Sequence, residues 1–190
     1  MKTEKQKMLS GELYHAPDPE LSEERVKARL LLGELNSSAE DEEEKRKSIL
    51  EKLIPAAGAG FWLQPPFYCD YGYNISTGEN VFLNFNCVVL DVMPVKIGNR
   101  TLIGPNVQIY TATHPMDYRE RAAGLEFAKP VTIGENVWIG GSAVVCPGVT
   151  IPSSSDEVGG SSMWTNADSM FSPEQLEKVA KALPLRKVGR

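Results

Sequence analysis

Val131-Thr132-Ile133-Gly134-Glu135-Asn136-Val137-Trp138-Ile139-Gly140-Gly141-Ser142-Ala143-Val144-Val145 repeats its character every six residues. Ile133, Ile139 and Val145 lead successive hexads, and the same phase reaches Ile151. Upstream, Ile97, Ile103 and Ile109 lead a second series, and Tyr71, Thr77, Leu83 and Val89 a third. Small or β-branched residues return at the fifth place: Ile75, Val81, Cys87, Thr101, Val107, Thr113, Val137, Ala143 and Val149. Glycine follows the lead residue at Gly72, Gly78, Gly98, Gly104, Gly134 and Gly140. A period of six is neither the 2 of a strand nor the 3.6 of a helix. It predicts a chain that makes a short strand, turns sharply and repeats, with lead and fifth-place side chains forming an inner aliphatic column. Glycine is expected to supply special backbone angles and close approach at the corners. One hexad cannot bury its own apolar face, so stability must come from coils stacked at about 4.8 Å.

The pattern breaks twice. Two extra residues separate the Val89 and Ile97 phases, around Met93-Pro94. The 36 residues from Ile97 to Ile133 carry the repeat only in their first half. Continuing the count would put Pro115, Arg121 and Phe127 in the column, so residues 115–131 are predicted to be a loop thrown out from the solenoid. Such loops are common places for function.

Around this region (residues 57–151) lie two others. Residues 1–56 read as helices: Leu21, Val26, Leu30, Leu31 and Leu35 fall on one face, and Ile49, Leu50, Leu53 and Ile54 make a second stripe stopped by Pro55. The acidic run Glu40 to Glu44 is read as a solvated helix start capped by Ser38. Residues 152–190 abandon the repeat, with Ser153-Ser154-Ser155 and Gly159-Gly160-Ser161-Ser162 as connection and a helix expected from Ser172-Pro173-Glu174. The basic residues of that helix, Lys178, Lys181, Arg186 and Lys187, read as its solvated side.

Composition is that of an ordinary globular protein, with 42% apolar and 24% charged residues among 190. No stretch approaches the roughly 18 uninterrupted apolar residues of a membrane span, and the first residues lack the apolar segment of a secretory signal. A net charge of −5 argues against a nucleic-acid partner. Cys69, Cys87 and Cys146 form neither a metal-like cluster nor an even disulfide set, so a reduced, cytoplasmic setting is expected.

Further motifs narrow the reading. Lys7-Met8-Leu9-Ser10-Gly11-Glu12-Leu13-Tyr14 and Asp18-Pro19-Glu20-Leu21 resemble the N-terminal helical segment of maltose and galactoside O-acetyltransferases. Pro65-Pro66-Phe67-Tyr68-Cys69-Asp70-Tyr71-Gly72, Asn84-Phe85-Asn86, Leu90-Asp91, Ala112-Thr113-His114-Pro115 and the stretch from Val131 to Gly141 extend the resemblance, which runs from residue 6 to residue 151. It implies a mainly β fold, a left-handed parallel β-helix whose triangular coils each take about 18 residues. It also implies acetyl-CoA as co-substrate, a small saccharide acceptor, no metal, and a homotrimer with active sites between subunits.

Acetyl transfer to a sugar hydroxyl needs a base, and imidazole, with a reference pKa near 6.5, suits that task. Of the two histidines, His15 lies in the helical segment and His114 where the repeat gives way to the loop. By resemblance His114 is the general base. The tetrahedral oxyanion needs preorganised donors. Asn84 has that supporting role in the family pattern, against the alternative of a corner asparagine ladder. Asp70, Asp91 and Glu126 are candidates for sugar hydroxyls, with Glu126 alternatively orienting His114. Trp138 should point outward and, by resemblance, flanks CoA beside the Gly140-Gly141-Ser142 backbone; a subunit contact is its alternative. Zinc carbonic anhydrases of this solenoid type need three histidine ligands, and this segment has one.

The resemblance fails after Ile151. The family continues with another coil that contacts the pantetheine and phosphates of CoA, whereas here Pro152-Ser153-Ser154-Ser155 follows. An open terminal rung with unpaired backbone is expected unless the tail covers it. Two functional expectations result: an acetyl-CoA-dependent sugar O-acetyltransferase, or a catalytically weak or inactive binding and assembly protein lacking the last coil.

Overall fold

The computed structural model describes residues 2–154 and the backbone of 163–164. The helix expected from Ser172 and its basic residues lie outside the described residues. Helices α1 (Glu4–Leu9), α2 (Pro19–Asn36) and α3 (Glu43–Leu53) come first, with the short strand β1 (Tyr14–His15) between α1 and α2. Asp18 caps α2 by accepting from the Glu20 and Leu21 N–H groups, with Pro19 in the first turn. The buried face of α2 is Leu21, Ala28, Leu32 and Leu35. The expected stripe is corrected here, because Val26 and Leu30 are 53% and 65% exposed. Ser38 is not the cap of α3: the N-cap residue is Glu42, which makes no side-chain cap hydrogen bond. Its hydroxyl instead donates to Leu35 O and accepts from the buried Arg46 guanidinium, tying α2 to α3.

From Ala56, which bridges Ser76, the chain coils into a triangular parallel solenoid. One sheet stacks β4 (Ile75–Thr77), β7 (Val95–Ile97), β12 (Val131–Ile133) and β15 (Thr150–Ile151). A second stacks β2 (Trp62–Leu63), β5 (Phe82–Leu83), β8 (Leu102–Ile103), β13 (Trp138–Ile139) and β16 (Met163–Trp164). The third stacks β3 (Phe67–Cys69), β6 (Cys87–Leu90), β9 (Gln108–Tyr110) and β14 (Val144–Val145). Register partners place Leu63, Leu83, Ile103 and Ile139 in one buried column. Cys69, Val89, Ile109 and Val145 form the next.

Three details differ from the hexad reading. Tyr71 lies off the column, in a second buried cluster with Met8, Tyr14, Leu21 and Val92. Thr113 is half-buried outside the column as well, in β10 (Ala112–Thr113). The coil length is not uniform: partners are 20 residues apart early on (Leu63↔Leu83↔Ile103) and 18 apart at the end (Ile133↔Ile151). The two extra residues recur at the corner between the third sheet and the first.

Glycine and asparagine share the corners differently from the expectation. The left-handed positions are held by Gly60, Asn80, Arg100 and Asn136 at one corner and by Asn86, Asn106 and Ser142 at the next. Asparagine tolerates positive φ better than most residues. The glycines after the lead residues answer to close approach. A Cβ on Gly98 would sit 2.5 Å from the Gly134 carbonyl carbon in the next rung.

The helical segment covers the first end of the stack. The helices merge with the solenoid core through Ala28, Leu32, Leu35, Ile49, Leu50, Leu53 and Ile54. The Asn36 amide donates to Phe67 O and accepts from Phe67 N, each at 2.9 Å, closing the first edge of β3 as a strand would. At the far end β15 pairs with β12, and the tail strand β16 pairs in parallel with β13. Among the described residues, the first and second sheets thus gain a strand beyond the rung of β12, β13 and β14.

Alanine scanning of two glycines separates these effects. Gly98→Ala should destabilise the fold by about 2 kcal/mol or more through inter-rung overpacking. Gly33→Ala, inside α2 with nothing within 4 Å of the added Cβ, should stabilise it by about 0.5–1 kcal/mol. Chemical denaturation of both variants checks the opposite signs.

Candidate active site

The excursion between Ile109 and Val131 is an ordered hairpin rather than a bare loop. β10 pairs antiparallel with β11 (Leu125–Ala128), and the short helix α4 (Tyr118–Ala122), capped by Asp117, lies between them. The other edge of β11 pairs with β1, Tyr14 opposite Glu126 and His15 opposite Leu125. The N-terminal segment is thereby joined to the excursion.

Beneath this three-stranded sheet, at the corner between the third and first sheets, is a cleft of about 300 Å³. Asp70, Leu90 and Val92 contribute from the coil corner, Ala112, His114 and Glu126 from the excursion, and Tyr14, Ala16, Arg25 and Arg29 from the N-terminal segment. The structure thus brings His114, Asp70 and Glu126 together. His114 is exposed. His15 belongs to β1 but not to the cleft lining. A hollow of similar size between α3 and the first coil, bordered by Lys47, Glu51, Phe61 and Trp62, holds no histidine.

Asp91 does not line the cleft. It is wholly buried, and its carboxylate accepts from the N–H groups of Asp70, Tyr71 and Asn74. The expectation of a sugar ligand is corrected: Asp91 folds the 70–74 turn that presents Asp70. Thr111, also buried, donates to Leu90 O and accepts from Met93 N at the same corner. Burial raises the Asp70 carboxyl above its usual range, aided by the Glu126 charge and opposed by Arg25 and Arg29. Burial pushes Asp91 up to about 7, against the pull of its backbone donors.

Asn84 sits elsewhere. It follows Leu83, as Gly104 follows Ile103 and Gly140 follows Ile139, so these residues share the corner between the second and third sheets. Two rungs, about 10 Å, separate Asn84 from Gly140. Gly141, Ser142 and the 44%-exposed Trp138 lie at or beside that corner. Asn84 Oδ1 accepts from Phe85 N at 2.8 Å. One protomer therefore carries two separate groupings: His114 with Asp70 and Glu126 at one corner, and Asn84 with Gly140, Gly141, Ser142 and Trp138 at another.

Tyr14, Arg25 and Arg29 were not singled out from sequence. Arg25 donates to Tyr71 Oη at 2.7 Å, Ala16 O at 2.8 Å and Ser22 Oγ at 3.1 Å. The bond to Tyr71 ties α2 to a corner 46 residues away, which no local pattern encodes. Among the described residues no cluster of His, Cys, Asp and Glu could hold a metal ion. No described helix is long and apolar enough to cross a membrane.

Stacked triangular coils, a helical cap and an extruded arm bearing an imidazole define a left-handed parallel β-helix of the hexapeptide-repeat class. Residues 7–58 match the family described as maltose acetyltransferase hexapeptide capping motif. Nodulation protein L of Rhizobium meliloti (strain 1021) is 50% identical over 149 residues, 78% of this chain and 81% of that protein. A maltose O-acetyltransferase from Clostridium difficile 630 aligns at a TM-score of 0.79 and 47% identity, over 80% of this chain and 81% of that one. A galactoside acetyltransferase in complex with coenzyme A aligns at 0.76 and 37% identity, over 79% and 75%. The chain belongs to the maltose and galactoside O-acetyltransferase family, acetyl-CoA-dependent acetyltransferases of the hexapeptide-repeat type.

The buried carboxylate gives a pH signature. A folded-state value near 7, against 3.8 ordinarily, means that the folded protein holds a proton the unfolded chain has lost. That stability is complete below the ordinary value and disappears as pH rises through the folded one. Between about pH 5 and about pH 8 the wild-type melting temperature should fall by about 3 °C or more relative to Asp91→Asn. Parallel melting curves for the two proteins would refute this.

Proposed function

We propose that the chain transfers the acetyl group of acetyl-CoA to a hydroxyl of a small saccharide, with His114 as general base. The observation that carries this reading is the exposed imidazole of His114 in one cleft with the Asp70 and Glu126 carboxylates. Paired carboxylates beside guanidinium groups suit a polyol, since each oxygen accepts from a ring hydroxyl and the arginines donate to ring oxygens. The imidazole takes the proton of the attacking hydroxyl as its oxygen bonds to the thioester carbon. The tetrahedral oxyanion accepts from the Asn84 amide. Collapse breaks the carbon–sulfur bond, and the imidazolium returns the proton to the departing CoA thiolate. Trp138 and the backbone of Gly140, Gly141 and Ser142 form the wall along which CoA lies. No metal takes part.

This chemistry requires Asn84 beside His114, and within a protomer they stand at different corners. A homotrimer meets the requirement by presenting the Asn84 corner of one copy to the His114 corner of the next. The outer faces support that assembly. The first sheet shows Ser76, Lys96, Thr132 and Thr150 outward. The second shows Trp62, Phe82, Leu102 and Trp138, of which Leu102 is 50% exposed. An apolar ladder of this kind is suited to burial against another copy. The cysteines are free thiols, with Cys69 and Cys87 buried, which fits a reducing, cytoplasmic setting.

Thiol release from acetyl-CoA, measured with maltose, glucose, a galactoside and N-acetylglucosamine oligosaccharides, tests the reading. The wild type should turn over at least one acceptor, and His114→Ala should lower kcat/KM by about a thousandfold. Wild-type turnover no greater than that of His114→Ala on every acceptor would instead favour an assembly protein whose substituted last coil has cost it catalysis.

A further inference from the structure

The polar side chains that line the cleft are held to different degrees. Arg25 is committed to Tyr71, Ala16 and Ser22. Asp70 is presented by a turn pinned on Asp91. Glu126 belongs to an excursion whose tip, around the 95%-exposed Met116, stands in solvent. A carboxylate on such an arm would be poorly fixed unless something outside the arm held it.

Tyr14 supplies that hold. In the antiparallel pairing of β1 with β11, Tyr14 stands directly opposite Glu126. Directly opposed residues rise from the same face with Cβ atoms about 5 Å apart. The Tyr14 ring is 1% exposed and fixed by Met8, Leu21, Val92 and Ala128. Its hydroxyl donates to Glu126 Oε1 at 2.8 Å. Burial and the neighbouring Glu126 charge raise its pKa, so the hydroxyl stays a donor throughout the working pH range. One carboxylate oxygen is thereby occupied, and the other is left to face the cleft.

We propose that Tyr14 is a positioning residue that clamps the Glu126 carboxylate for an acceptor hydroxyl, making the N-terminal segment a working wall of the active site. The inference rests on the saccharide-acetylation reading for its kinetic consequence but not for the clamp itself. The clamp acts on the acceptor and not on acetyl-CoA, because it ends at a side chain of the His114 corner. It also gives the pairing of β1 with β11 a role beyond packing, since a frayed β1 would release the carboxylate.

Tyr14→Phe removes the hydroxyl and keeps the ring, so the fold is retained. Two measurements on the full chain decide the matter. Carbodiimide-driven amine labelling of Glu126, followed by peptide mass spectrometry, should rise severalfold in Tyr14→Phe; Glu126→Gln gives the unlabelled control. With a saccharide that turns over, Tyr14→Phe should raise the acceptor KM about tenfold and leave the acetyl-CoA KM within twofold. It should add nothing in a Glu126→Gln background. Unchanged labelling would overturn the clamp whether or not any saccharide is acetylated. Equal shifts in both KM values, or additive effects with Glu126→Gln, would reduce Tyr14 to a packing residue. Raised labelling in a protein that acetylates no saccharide would uphold the clamp and remove the proposed reaction.

Discussion

Every rung of this molecule depends on a neighbour for its hydrogen bonds. Its solenoid strands are two to four residues long, too short to be stable alone, and the inner ones satisfy their backbone through parallel partners above and below. Register is the governing constraint: once Leu63, Leu83, Ile103 and Ile139 are stacked, the corners stack as well. A Cβ has no room where one turn rests on the next, as at Gly98 over Gly134. A left-handed residue in one coil calls for another beside it, as in Asn86, Asn106 and Ser142. Even the buried Thr101 conforms, its hydroxyl donating to Gly134 O and accepting from Val137 N across the rung.

A column so tightly determined leaves little freedom for chemistry inside it. The cleft lined by His114, Asp70 and Glu126 opens where the period is interrupted. The corner between the third and first sheets carries two extra residues in the early coils and the whole excursion in a later one. Those residues break the regular ladder and need other partners, which Asp91 and Thr111 provide from fully buried positions. A buried carboxylate is a costly partner, and its raised pKa reflects that cost. In return the turn that presents Asp70 to the cleft is held without using the cleft's own side chains.

The solenoid was legible in sequence because six-residue spacing follows directly from the geometry of the coil. The lead residues of the first coil do not enter the hexad series, although Ala57, Leu63 and Cys69 are six apart and the step from Cys69 to Thr77 repeats that from Val89 to Ile97. Counting from Tyr71 masked this, since Tyr71 happens to lie six before Thr77. The break at Pro115 was legible for the same reason, as a proline fits poorly in the column. The N-terminal helices were read correctly as helices but with the wrong face on α2, because Leu32 and Ala28 are selected by the solenoid they cover. For the site, His114, Asp70 and Glu126 could be picked as chemical types near a break. Asp91 could not be told from them, since only the fold shows that it faces backbone N–H groups and not solvent. Tyr14 reaches the cleft through the pairing of β1 with β11, and Arg25 and Arg29 reach it from α2, placements that no local periodicity encodes.

The lining of the cleft divides along the same line. The coil contributes Asp70, Leu90 and Val92 to the cleft, and the remaining wall comes from the helical cap and the excursion. Those two pieces touch each other through β1 and β11, outside the inner column. Substitutions at Tyr14, Ala16, Arg25, Arg29 or Glu126 therefore alter the pocket without disturbing the rungs, whereas a change at Ile103 or Gly98 disturbs every coil above and below. The inner column and most of the cleft wall are set by different residues here, so one solenoid can carry different clefts. The coupling runs through backbone pairing, so the cap and the arm must vary together: a new residue at 126 faces whatever stands at 14.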